Sequence, residues 1–244
     1  MKPTTRNLIV NADDFGLSPG VNRGIIRAHE HGILTSTSLM VRWPAATEAA
    51  SLARKHPGLS VGLHVDLAEW IFREGEWSPK YQIVPADDAG AVAAEVARQL
   101  ESFRRLVGKN PTHVDSHQHV HRNEPVRSVL LRLARELGVP LRSFDALVNY
   151  CGSFYGQTGE GDPYPEGISL DGLLNIFAGL PGGVTEMACH PGEAEGLDSV
   201  YCAERSLELK VLCSPRVQAA VKAHGIRLCS FAELPGTPEP LTTA

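Results

Sequence analysis

The sequence predicts an α/β fold, an irregular (β/α) barrel of about seven parallel strands. Three observations point there. Short apolar runs recur along the chain, and runs without polar alternation mark strands buried on both faces. Segments of helical periodicity lie between them, an alternation that implies parallel pairing through right-handed crossovers. The 244 residues suit one domain, because α/β barrels of roughly 200–250 residues fold as single units.

The elements follow in order. Residues 7–11 are an apolar run closed by polar residues, the first strand. Ser18 then offers an N-cap and Pro19 the first helical position, Val21, Ile25 and Ala28 follow at helical spacing, and Gly32 stops the helix. Further strands are expected over 36–41, 60–65, 112–115, 141–144, 184–189 and 226–230. Helices are expected over 45–55, 89–107 and 124–137, the last stopped by Gly138, and Ser214-Pro215 opens the final clear helix. Seven strands are one short of a regular barrel, so an open doubly wound sheet is the competing architecture. No G-x-G-x-x-G follows the first strand, which weighs against a dinucleotide-binding sheet. Residues 149–167, rich in glycine and aromatics, are too long for a plain connection and suggest a loop over a site. Without repeats, charge blocks or a linker, residues 1–244 read as one domain.

Composition narrows the function classes. Lys+Arg 23 against Asp+Glu 28 gives a net charge of −5, which lacks the basic footprint of a nucleic-acid binder. No apolar run approaches the ~20 residues that span a bilayer, and no signal-peptide pattern opens the chain, so a cytoplasmic location without membrane or nucleic-acid partners is expected. Cys151, Cys189, Cys202, Cys213 and Cys229 form no C-x-x-C pair and read as small buried hydrophobes in a reducing compartment.

The polar residues fall at informative positions. Asp13 and Asp14 lie just past the first strand, His64 at the end of the third, Asp115 and His117 at the end of the fourth, and His190 closes the sixth. In a parallel architecture all carboxyl ends of strands share one face, where such folds place their chemistry. Adjacent aspartates at a strand end point to different sides, so one can ligate a cation while the other reaches a water beside it; a helix-capping aspartate is the plain alternative. His117, His119 and His121 alternate at a spacing of two, which in extended chain puts the imidazoles on one side. Aspartate plus two histidines with open positions is a catalytic metal arrangement, and Asp115 can hold a ligand imidazole by its second nitrogen. His190, before Pro191-Gly192, is placed as a general acid, although a lone histidine at a strand end is more often packed.

These pieces together resemble the YdjC-like family of carbohydrate deacetylases. The match runs through Asn11-Ala12-Asp13-Asp14-Phe15-Gly16-Leu17-Ser18, Gly32 to Ser38, Gly62-Leu63-His64, Thr112 to His121 and His190-Pro191-Gly192, with Arg205 and Glu208-Leu209 as a later element. The resemblance implies a polysaccharide-deacetylase-like barrel, a homodimer, and a divalent metal held by Asp14, His64 and His117. It implies Asp13 as general base and His190 as general acid, with Asp115, His119 and His121 as supporting or substrate-contacting residues. The implied reaction removes the acetyl group of an N-acetylated amino sugar or chito-oligosaccharide. The family is labelled with magnesium, whereas nitrogen donors favour Zn, Mn or Co. The sequence departs from the family at Val65-Asp66-Leu67-Ala68 and at Glu193, and the Asn149–Gly167 stretch has no counterpart in the family pattern; all three bear on substrate. Hydrolysis of a phosphate ester or another amide, and non-catalytic sugar binding, are the competing readings.

Overall fold

The structure, a computed structural model, describes residues 5–193 and 197–234. In chain order its elements are β1 (Arg6–Phe15), α1 (Pro19–His31), β2 (Ser36–Leu39), α2 (Ala46–Lys55) and β3 (Ser60–Val65). There follow β4 (Ala68–Arg73), β5 (Glu76–Gln82), α3 (Ala89–Val107), β6 (Val114–Ser116), α4 (Val126–Leu137) and β7 (Val148–Cys151). The chain closes with α5 (Leu170–Gly179), β8 (Gly183–Cys189), α6 (Ala203–Leu212), α7 (Pro215–Ala223) and β9 (Ile226–Leu228).

Seven strands build one sheet in the order β6-β3-β2-β1-β8-β7, with β9 added beside β1. All of these pairings are parallel. β9 covers only Arg6–Leu8 of β1, on the edge that β2 takes up from Asn11 onward. The sheet curls into an incomplete barrel whose ends, β6 and β7, are not paired with one another among the described residues.

The side-chain period of two along β1 decides what fills this barrel. Leu8, Val10 and Ala12 join the large core beneath the helices. Ile9 points the other way, into a small interior cluster with Val148, Cys229 and Phe231. Asn11 and Asp13 share that interior side with Ile9, so the lumen passes from apolar at the amino ends of the strands to polar at the carboxyl ends. His113 belongs to the lower layer, stacked on Phe231 with ring centroids 3.8 Å apart. Gly62 leaves room for it: a Cβ there would lie 2.4 Å from the His113 ring.

Several expectations need correction. Residues 141–144 are not a strand; only Leu141 bridges to Val114, and the strand beside β8 is β7 instead. That strand is made from the start of the stretch read as a loop over a site, whose later residues do lie against the site cavity. Residues 68–82, unassigned from the sequence, form an antiparallel hairpin outside the main sheet. The expected extended run through His117, His119 and His121 is overturned: His117–Arg122 is a tight 3-10 turn with Gln118 and His119 at φ 49° and 53°. Ser116 pins this turn, its Oγ accepting the His121 N–H at 3.0 Å and meeting His121 Nδ1 at 2.7 Å. Of the cysteines, Cys189 and Cys229 are buried while Cys151, Cys202 and Cys213 are half-buried thiols. Among the described residues, no helix is long and apolar enough to cross a membrane.

Candidate active site

Asp13 and Asp14 end β1, where the β1–β2 register breaks between Ala12 and Phe15. Asp14 sits at φ 67°, a left-handed conformation uncommon outside glycine. This turn ends the strand's alternation, so both carboxylates reach one cavity of about 1000 Å³ at the carboxyl ends of the strands.

The two aspartates are held differently. Arg142 grips Asp13 with both ends of its guanidinium, Nη1 to Oδ2 at 2.6 Å and Nη2 to Oδ1 at 2.7 Å. The same guanidinium reaches Asp115 Oδ2 and Glu186 Oε1, each at 2.7 Å. Asn11 also donates to Asp13 Oδ1, at 3.0 Å. Burial would raise the Asp13 carboxyl, but the Arg142 charge and its hydrogen bonds outweigh that and hold it far below the usual carboxylate range. Three carboxylates share one guanidinium, and burial pushes Glu186 up to about 7, so a proton stays with it close to neutrality.

Asp14 uses one oxygen for Arg205, whose Nη2 lies 2.5 Å from Oδ2. Its other oxygen, Oδ1, is buried without a hydrogen bond. That oxygen stands 3.4 Å from His64 Nε2 and 3.2 Å from His117 Nδ1. Donors around a cation at 2.0–2.1 Å are spaced by roughly 3.3 Å in a tetrahedral set, so these three residues fit a divalent metal. Asp115 Oδ1 holds His64 by Nδ1 at 2.7 Å, which turns Nε2 to the site. A second grouping of Asp13, His64 and Asp115 is also close-set, but Arg142 and the His64–Asp115 bond already engage its oxygens. Burial lowers the His64 and His117 imidazoles, while Asp115 and Asp13 beside the first and Asp14 beside the second raise them by more.

His190 closes β8 on the opposite side, with Nε2 3.8 Å from Asp13 Oδ2. Glu208 of α6 accepts the His190 backbone N–H and the Tyr201 hydroxyl. Burial, against the charges of Asp13 and Asp14, pushes the His190 imidazole down to about 4. His119 turns to the Tyr150 hydroxyl at 3.2 Å, and His121 to Ser116 and the Phe144 ring. Of the three alternating histidines, His117 alone is in the close-set group with Asp14 and His64.

Sequence reading missed Arg142 and Glu186 as site residues. A glutamate inside the apolar run 184–189 was the available signal, since a buried charge demands a partner. Arg142 carried none, because its position beside Asp13 depends on tertiary packing alone.

Known proteins resemble the chain over most of its length. The family model described as "YdjC-like protein" matches residues 7–223. A chitooligosaccharide deacetylase of Serratia marcescens is 35% identical over 258 residues, covering 93% of this chain and 98% of its own. A proposed cellobiose-phosphate cleavage protein of Enterococcus faecalis V583 superposes with TM-score 0.73 at 28% identity, covering 94% of this chain and 98% of its own. A family 4 carbohydrate esterase of Streptomyces lividans shares the fold, with TM-score 0.55 at 15% identity over 93% of this chain and 92% of its own. The chain belongs to the YdjC-like family, on a fold shared with carbohydrate esterases.

Proposed function

We propose that this protein is a metal-dependent hydrolase that removes the N-acetyl group of an N-acetylated amino sugar or chito-oligosaccharide, releasing acetate. One observation carries the reading. A buried carboxylate oxygen of Asp14 without a hydrogen bond stands between two imidazole nitrogens, with a separate carboxylate and a separate imidazole beside them. The deacetylase relative from Serratia marcescens supports it.

Asp14, His64 and His117 would hold the cation, and two imidazoles with one carboxylate suit Zn, Mn or Co better than Mg, which takes mostly oxygen donors. When bound, such a cation polarises a carbonyl and lowers the pKa of a water. The chain's own residues do the rest. Asp13 stays ionised through Arg142, and its Oδ2, facing His190, keeps a lone pair to accept the proton of the attacking water. As the water oxygen bonds to the acetamide carbon, that proton passes across the 3.8 Å to His190. His190 is neutral near pH 7 and so able to receive it. From Nε2 the proton goes to the amine nitrogen as the C–N bond breaks, leaving acetate and a free amino sugar. Arg142 and Arg205 are both engaged with carboxylates, an arrangement that does not favour binding a phosphate ester.

The test is acetate release from a panel of N-acetylated chito-oligosaccharides, with chelation and metal replacement. Release should stop with chelator and return with metal. Asp13→Asn should abolish turnover while retaining metal, and His64→Ala should lose both. An Asp13→Asn protein with near-normal turnover would refute the assignment of the base.

A further inference from the structure

The β4–β5 hairpin carries an aromatic face that the chemistry above does not use. Phe72 pairs directly across from Trp77, with ring centroids 5.5 Å apart. Trp70 precedes Phe72 by two residues and therefore shares its face. Trp70 and Trp77 are 38% and 51% exposed, and all three residues line the cavity that holds Asp14, His64 and His117. Two of the chain's three tryptophans are thus placed at the rim of one cleft. Exposed apolar surface of this kind marks a binding groove or an interface.

The face is fixed relative to the metal-ligand cluster. Gln118, next to His117, clasps the Trp70 backbone in both directions, accepting its N–H at 2.8 Å and donating to its carbonyl at 2.7 Å. Gln118 itself has a left-handed backbone, φ 49°. On the other strand, Lys80 donates to the Asp198 carbonyl at 2.5 Å and approaches its carboxylate at 3.4 Å, tying the hairpin to the segment before Tyr201. Tyr81 anchors its base, donating to Asp66 Oδ1 at 2.8 Å. The hairpin is a braced wall of the cleft.

A pyranose ring presents an apolar face of C–H groups, which an aromatic ring can cover while the hydroxyls stay wet at its edge. The cavity, about 1000 Å³, sits at the upper end of the roughly 300–1,000 Å³ typical of small-molecule sites, so it has room beyond one sugar at the metal cluster. We propose that the face formed by Trp70, Phe72 and Trp77 is a subsite that stacks on the pyranose ring adjoining the one deacetylated. These three residues then set the preference for oligosaccharides of amino sugars over the monosaccharide. The inference rests on the deacetylase reading, and it is continuous with that site rather than with any separate surface.

The test compares N-acetylglucosamine with N,N′,N″-triacetylchitotriose. Binding is followed by tryptophan fluorescence in the full-length Asp13→Asn protein, where turnover cannot interfere, and acetate release is followed in the parent. Trp77→Ala and Trp70→Ala should each lose about tenfold or more in affinity for the trisaccharide, the scale of one aromatic anchor. The loss for the monosaccharide should be clearly smaller, so the ratio between the two sugars falls. Trp77→Phe should restore most of that ratio. Equal losses on both sugars, or none, would overturn the subsite. So would a Trp77→Ala protein that splits a dimer by light scattering while keeping its trisaccharide affinity, since the face would then seat a second copy. If the parent releases no acetate yet Trp77→Ala still loses trisaccharide binding, the deacetylase reading fails and the subsite stands.

Discussion

Arg142→Met removes the one cation shared by Asp13, Asp115 and Glu186 while keeping most of the side-chain volume. The guanidinium is 1% exposed and makes contacts of 2.6–2.7 Å to all three carboxylates. Removing one partner of a buried ion pair costs about 3–5 kcal/mol, because the other charge stays buried and unpaired. Against a total stability of about 5–15 kcal/mol, that is a large fraction. The loss should depend on pH, with a sign that can be worked out. In the parent, Arg142 holds Asp13 and Asp115 below their unfolded values, so their stabilisation is present above about pH 4 and lost as pH falls through the folded values. In the variant burial, opposed only by the weaker pull of His64 and His190, raises them, so a penalty grows as pH climbs above about 4. The gap between parent and variant is therefore wide at pH 8 and narrows toward pH 4–5. Urea unfolding of both proteins in chelator, at several pH values, reads it directly. A gap under about 1 kcal/mol at pH 8, or one that does not change with pH, would refute the view that this cluster is held by its charges.

Two further substitutions probe parts of the frame. Gly62→Ala places a Cβ 2.4 Å from the buried His113 ring and should cost about 1–3 kcal/mol by overpacking, read as a lower melting temperature; an unchanged melt would mean that the His113–Phe231 stack yields easily. Asp66→Asn leaves one carbonyl oxygen to serve both the Trp43 indole at 3.1 Å and the Tyr81 hydroxyl at 2.8 Å, at a cost of about 1–3 kcal/mol. Amide hydrogen exchange over 68–82 should quicken while β1 keeps its protection, and unchanged exchange there would show that the hairpin does not depend on this root.

The alternation of strand and helix was readable because it rests on local signals. Ser18 does accept from the Val21 N–H at the start of α1, and Ser214 does the same at α7. The hairpin escaped because β5 is exposed along most of its length and β4, which buries Ala68, Glu69 and Ile71, shows no strict apolar alternation; Asp66, Gln118 and Lys80 fix its place. The His117–Arg122 turn escaped for a related reason. Its path is set by Ser116 and by the Gln118–Trp70 clasp, neither visible as a sequence period. The strand-end positions of Asp13, Asp14, His64 and His190 were legible because parallel topology alone gathers them. Arg142 was not, since nothing in residues 140–144 says that this side chain reaches across to β1. Two of the departures from the family pattern part company: Asp66 roots the aromatic hairpin, whereas Glu193 pairs with Arg23 of α1 at 2.6 Å.

The charge balance of the site makes a last prediction, about protons. Among the described residues, Asp13, Asp14, Asp115 and Glu186 pair with two guanidiniums, Arg142 and Arg205. The metal-free cluster makes up the difference with protons. Asp115 and Asp13 raise His64, Asp14 raises His117, both against burial, and Glu186 is pushed up to about 7. A raised imidazole is charged below the ordinary imidazole range, so at pH 6 the metal-free site holds protons on the same nitrogens, His64 Nε2 and His117 Nδ1, that would face the cation. Binding a divalent ion must therefore release about one to two protons at pH 6, and affinity must fall steeply as pH drops. Titration calorimetry of a divalent metal into the chelator-stripped protein, in buffers of different ionisation enthalpy, counts them. Release should shrink toward zero at high pH, where the imidazoles are already neutral. Metal binding at pH 6 without proton release would mean that the cation does not use these two histidines.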